Sequence, residues 1–213
     1  MGVVRIFGVG VAFTAALAVA TACGSGEKSS PSSSSSKASS SATTSSSSSA
    51  AASASSSAPP SGVGPLGDYT YLLLQPDDVG PGASTTGPPT QNPGGVAGAG
   101  VTYGNAERGR TIDDLVVVFT DPATAAQQAK ERAQSYSKYV TAAPQPLDIG
   151  TNGLIAVGLS PDNSKAVTYL TFAEGRVGVD LEFDSSPNDP APQDIVLAIA
   201  RTQDQIVKNR MPT

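Results

Sequence analysis

From Gly24 to Ser61 the chain is almost entirely serine, alanine and threonine, with Pro31, Pro59 and Pro60 and no large apolar side chain. A stretch with nothing to bury cannot offset the entropy of ordering its backbone, so it is expected to stay a coil. Folding is thereby confined to residues 62–213. Roughly 150 residues suffice for one domain with a real core. A coil of roughly 38 residues has an r.m.s. span of about 35 Å, and its hydroxyls and prolines suit a glycosylated stalk.

The segment before the coil explains why a coil is there. Met1–Arg5 is short and positive, and Ile6–Thr21 is uncharged and mostly apolar, too short to cross a bilayer as a helix. It ends in Ala20-Thr21-Ala22, directly before Cys23, the only cysteine. This arrangement resembles the lipobox of bacterial lipoproteins, with Ala20 where leucine is usual. The expectation is a signal peptide over residues 1–22 and a lipid-modified Cys23, acylated by chains such as palmitate, that begins the mature chain. Residues 23–61 then form the linker and residues 62–213 the domain. The alternative is an ordinary secretory signal cleaved after Ala22, which leaves a free thiol. Either way no disulfide can form within the mature chain, and packing alone must hold the domain.

Composition narrows the chemistry. The chain has 13 Lys and Arg against 18 Asp and Glu; setting aside Arg5, Lys28, Lys37 and Glu27 leaves the domain 10 against 17, a net charge of −7. Scattered acidic charge of this kind does not suit nucleic acid. There is no histidine, so His-based zinc sites, Ser-His-Asp triads and Cys-His nucleophiles are excluded. Ser135-Tyr136-Ser137-Lys138 fits the S-x-x-K pattern, but Ser25–Lys28 and Ser34–Lys37 fit it too, inside the coil, and no K-T-G or S-D-N partner exists. The neighbours Asp77-Asp78 and Asp113-Asp114 point to opposite sides of an extended chain and make no acid/base dyad. Asp184 to Asp189 reads as a turn and helix cap rather than a calcium loop. Gly94–Gly104 lacks the spacing of a nucleotide loop. The expectation is no catalytic residue, no metal and no cofactor.

Periodicity supplies the fold. Asp121-Pro122 predicts a helix start, and Ala125, Ala129, Ala133, Tyr136 and Val140 continue it toward Pro144. A second helix begins near Pro190–Asp194, with a stripe of Ile195, Val196, Ile199, Ala200, Gln203, Ile206 and Val207, and Pro212 stops it. Leu115–Phe119 and Leu154–Leu159 read as strands, Val101–Tyr103 as a re-entry to the sheet, and Ala166–Phe183 as a hairpin turning at Glu174-Gly175. That register sets Ala173 against Arg176. It gathers Ala166, Thr168, Leu170 and Phe172 with Val177, Val179, Leu181 and Phe183 on one face. Tyr71–Leu74 is one helical turn or a short strand. Residues 80–100 are expected to be a flexible Gly/Pro-rich loop, a candidate flap. The order strand, helix, three strands, helix predicts an α+β fold, an antiparallel sheet with both main helices packed on one face.

Together, the lipobox, the serine stalk, the opening Leu72-Leu73-Leu74-Gln75-Pro76-Asp77-Asp78 and the late strand–strand–helix unit resemble small actinobacterial, mycobacterial-type surface lipoproteins. The folded part is similar in layout to the extracellular sensor domains of mycobacterial Ser/Thr kinases. The resemblance implies an extracytoplasmic binding domain with a cleft between helices and sheet, and transfers no catalytic residue. Tyr103, Tyr136 and Tyr169 are the candidate ligand-binding residues, with Tyr139 and Phe172 beside them. The expected function is a non-catalytic ligand-binding or sensing module on the outer side of the cell membrane, held there by the N-terminal lipid. Its expected partner is a small amphipathic or glycan-like ligand or an envelope protein. The alternative is an accessory or structural protein of an envelope complex with no small ligand.

Overall fold

The computed structural model describes residues 62–105 and 109–211. Residues 1–22, Cys23, the linker over residues 23–61 and Pro212 lie outside the described residues.

The elements in chain order are a 3-10 turn at Thr70–Leu72, α1 (Pro76–Val79), β1 (Ser84–Thr85), β2 (Thr90–Gln91), β3 (Gly98–Asn105) and β4 (Arg110–Val118). After them come α2 (Pro122–Ala133), a 3-10 turn at Tyr136–Lys138, β5 (Gln145–Pro146), β6 (Thr151–Leu159), β7 (Ala166–Glu174), β8 (Val177–Ser185) and α3 (Gln193–Arg210). All strand pairs are antiparallel, in the order β1-β3-β4-β8-β7-β6-β5, and β2 also pairs with β3. The fold is α+β. The 80–100 stretch, expected as a loop, supplies β1 and β2, which line two portions of the β3 edge.

The β7–β8 hairpin turns at Gly175-Arg176, not at Glu174-Gly175. Glu174 pairs with Val177 and Leu170 with Leu181. Gly175 has φ +53°. A two-residue hairpin that needs positive φ at its first central position puts glycine there, which keeps Glu174 in the strand. The register moves by two residues, so the face assignments survive.

Helix α2 starts as expected: Asp121 caps it, its carboxylate accepting from the Thr124 amide at 2.9 Å. It ends at Ala133, sooner than the stripe suggests. There the amides turn to i−3 carbonyls, Gln134 to Glu131 and Ser135 to Arg132, and the chain tightens into the 3-10 turn. Tyr136 and Val140 still reach the interior. In α3 the stripe holds except for Ile195, which is 49 % exposed. Its buried Val196, Ile199, Ile206 and Val207 each contribute about 1.5–3 kcal/mol of transfer free energy.

The two main helices divide between the faces of the sheet instead of sharing one. Val116, Val118, Leu170, Phe172, Val179 and Leu181 pack with α3 and with Leu72–Leu74. The alternate residues Val117 and Ala173 pack with Ala125 and Ala129 of α2, and Val167 and Tyr169 with Ala133 and Tyr136. The face of the hairpin that carries Tyr169, Thr171, Asp180 and Glu182 looks polar in sequence. It also carries Val167 and Ala173, and α2 lies on it. Side chains of adjacent strand residues point to opposite sides, so one sheet serves two cores. The alanine stripe lets α2 approach closely.

Candidate functional site

Chemistry gathers on the α2 side of the sheet. Pairing across four strands sets Thr102, Asp113, Glu182 and Tyr169 in one row, and Leu115, Asp180 and Thr171 in the next. Helix α2 crosses β6, β7 and β8 and meets β4 near Val117 and Phe119. Its last turn delivers Arg132, whose Nε lies 3.0 Å from Asp180 Oδ2. The pair closes a narrow slot of about 30 Å³ lined by Val117, Phe119, Gln128, Ala129, Thr171 and Gly178. Burial raises the Asp180 carboxyl, and the Arg132 charge opposes that rise; Asp180 in turn holds the Arg132 guanidinium charged.

Three tyrosines surround this pair. Tyr139 stacks on Tyr169 with ring centres 5.0 Å apart, and Tyr136 meets Tyr169 edge-on at 4.7 Å. The Tyr136 hydroxyl donates to the Leu154 carbonyl at 3.2 Å. Desolvation, reinforced by Asp180, pushes the phenols of Tyr136 and Tyr169 upward. Beyond the 3-10 turn, Ala133, Tyr136, Ser137, Thr141, Ala142 and Pro144 line a shallow groove of about 450 Å³ that opens to solvent.

In and beside the row of Thr102, Asp113 and Glu182 the groups are acidic. Thr102 donates its hydroxyl to Asp113, and Lys165 pairs with Asp184. Burial, then the charges of Asp184 and Asp113, raises Glu182 to about 7. Burial also raises Asp113, against the Thr102 hydrogen bond. Of these carboxyls, Glu182 can exchange a proton near neutrality. Among the described residues no three metal-ligating side chains form a group.

Of the candidate ligand-binding residues, the structure brings Tyr136 and Tyr169 together and sets Tyr103 apart. Tyr103 lies on the α3 face, 1 % exposed, its hydroxyl donating to the Leu74 carbonyl. Phe172, also on that face, is fully buried. Asp113 and Asp114 point to opposite faces, as extended neighbours must. Ser135 precedes and Lys138 ends the 3-10 turn, both beyond the end of α2. Asp189 is held by Arg110 at 3.0 Å, and Asp77-Asp78 open α1, where Asp78 accepts from the Gln75 amide.

Sequence reasoning missed the Arg132–Asp180 pair and the burial of Asp114. One signal was present in each case: a carboxylate in mid-strand among apolar neighbours requires either a partner or a proton.

No protein family and no curated protein matches this chain. Among solved structures, the fold is similar to the extracellular domain of PknH from Mycobacterium tuberculosis. The identity is 12 % and the TM-score 0.51, with 66 % of this chain and 95 % of that domain covered. At that identity the likeness shows the fold alone: this domain is built like a known extracellular domain.

Proposed function

We propose that this chain is a lipid-anchored extracytoplasmic lipoprotein whose domain acts as a non-catalytic ligand-binding or sensing module of the cell envelope. The observation that carries the reading is a conjunction. An export segment ends at a single Cys23, a serine stalk follows, and beyond it stands a domain with the fold of an extracellular domain. Cys23 is the lipid attachment point, and the lipid holds the domain on the outer side of the membrane. No helix among the described residues is long and apolar enough to cross a membrane. Ligand contact falls to the α2 side, where Tyr136, Tyr139 and Tyr169 meet Arg132. Replacing Cys23 by serine and fractionating the cells tests the anchor: the variant leaves the membrane fraction, whereas membrane retention of processed chain overturns the assignment.

A second reading, an accessory protein for an envelope complex, is favoured by one feature: both depressions on the α2 side open to solvent. A small-molecule carrier typically encloses an apolar cavity of several hundred Å³. Native mass spectrometry of the protein from its own host separates the two. A recurring small-molecule mass supports the module reading, and a stable protein partner without one supports the accessory reading.

A further inference from the structure

We propose that Asp114 is a proton-operated latch on the segment Tyr71–Leu74. The segment is the inner plug of the α3-side core: Leu72, Leu73 and Leu74 are 0–2 % exposed. Yet it belongs to no strand, and side chains from three elements hold its backbone. Gln203 of α3 donates to the Leu72 carbonyl at 2.8 Å, and Tyr103 of β3 donates to the Leu74 carbonyl. Arg210 at the end of α3 donates to the Tyr71 carbonyl. The Leu74 amide donates to Asp114 Oδ2 of β4 at 3.0 Å. Of these four holders, Asp114 is the one whose charge can change near neutral pH.

Its surroundings set the direction. Asp114 is 2 % exposed and pairs across the sheet with Val101 and Leu181. The Leu74 amide is the one contact that favours its charged form. Burial lifts it from 3.8 to about 7. The charged and titratable groups nearby give no relief. Tyr103 carries a phenol pushed upward by burial, then by Asp114 and Asp78, and Asp78 of α1 adds negative charge. On α3, Lys208 is engaged by Asp204 and Glu174. Arg210 is engaged at Tyr71.

A second observation fits the protonated form. Asp114 Oδ1 and Gln203 Oε1 are both buried without a partner among the described residues. A proton on Asp114 converts one of these two orphan acceptors into a donor. Ionisation leaves Asp114 Oδ1 a charged acceptor without a partner among the described residues, in an apolar row. The latch therefore holds at acidic pH and loosens as pH rises through about 7.

Hydrogen exchange of the full chain, followed by mass spectrometry on peptides covering Tyr71–Gln75, tests this. With Asp114 at about 7 when the segment is seated and 3.8 when it is open, linkage gives a roughly 30-fold loss of protection from pH 5.5 to 8.5, after correction for intrinsic exchange. Asp114→Asn keeps the acceptor for Leu74 and carries a permanent donor. Its protection is expected to be flat with pH and to exceed that of the wild type already at pH 5.5, where the same linkage has begun to open the wild-type segment. Tyr103→Phe lowers protection at both pH values and keeps the 30-fold response. A wild-type segment with flat protection overturns the latch, as does an Asp114→Asn variant that retains the pH response.

Discussion

Replacing Arg132 by leucine tests whether the α2 side is held by a true buried ion pair. The Asp180 side chain is 10 % exposed, and among the described residues Arg132 is the cation paired with it, whereas the nearby Thr171 hydroxyl donates to the Val179 carbonyl. Leucine fills much of the same slot against Phe119 and Ala129, so packing is largely kept. What remains is a carboxylate at the base of a slot about 30 Å³ in volume, too small for a hydration shell. Removing one member of a buried pair costs about 3–5 kcal/mol. The Arg132 side chain is itself 29 % exposed, which places the expected loss near the low end, about 3 kcal/mol at pH 7. Urea unfolding of the wild type, Arg132→Leu, Asp180→Asn and the double variant measures it. Asp180→Asn alone is expected to cost about 1 kcal/mol, because the guanidinium edge can hydrate, and the double variant recovers most of the loss from Arg132→Leu. The deficit of Arg132→Leu also narrows as pH falls, because burial favours the protonated form of Asp180 once the guanidinium is gone. A loss below about 1 kcal/mol at pH 7, or a double variant no more stable than Arg132→Leu, refutes the reasoning.

Gly153→Ala is expected to destabilise the domain by about 1–3 kcal/mol in the same assay, since a Cβ there sits 2.4 Å from the carbonyl oxygens of both Leu147 and Ile149; an unchanged midpoint would show that the β5–β6 connection yields freely. Stability should also peak near pH 4–5. Asp114 and Glu182 are raised to about 7 from 3.8 and 4.5. Their contribution is full below the unfolded values and disappears as pH rises through 7, about 4 kcal/mol at most for Asp114. Asp162, lowered to about 2 by Ser160 and Ser164, works the other way, and its contribution is lost as pH falls from 3.8 through 2. A urea midpoint that climbs from pH 5 to pH 8 contradicts this.

The hairpin, the capped start of α2 and the α3 stripe were legible because local patterns fix them. Alternation gave the faces of β7 and β8 even though the turn was displaced by one residue. Such a shift moves the register by two and so preserves parity. Which face each helix covers was not legible. Tyr169, Thr171 and Asp180 look like a solvent row by polarity alone, and only the interleaved Val167 and Ala173 hint that a second layer lies above them. The short strands β1 and β2 escaped notice because Ser84, Thr85, Thr90 and Gln91 are exposed and carry no apolar period; their pairing is set by the β3 edge. For the site, aromatic content drew attention to Tyr136 and Tyr169 but also to Tyr103. A residue type cannot report which side of the sheet it faces until the register is known.

Asp114 and Asp180 are the same residue type, at mid-strand on neighbouring strands of one sheet, and both are buried. What differs is the chain laid over each. Above Asp180, the last turn of α2 brings a guanidinium within 3.0 Å, so the carboxylate can stay charged and pins the helix to the sheet. Above Asp114, the chain offers one backbone amide, so its grip depends on a bound proton. The closing of β4 onto β8 fixes both positions, and the two helices then assign opposite electrostatics to them. A sheet covered on both sides can in this way hold one buried carboxylate with a guanidinium and the other with a bound proton. If so, Asp114→Asn should leave the Arg132–Asp180 coupling energy unchanged, because the two acids act on separate cores and share no partner.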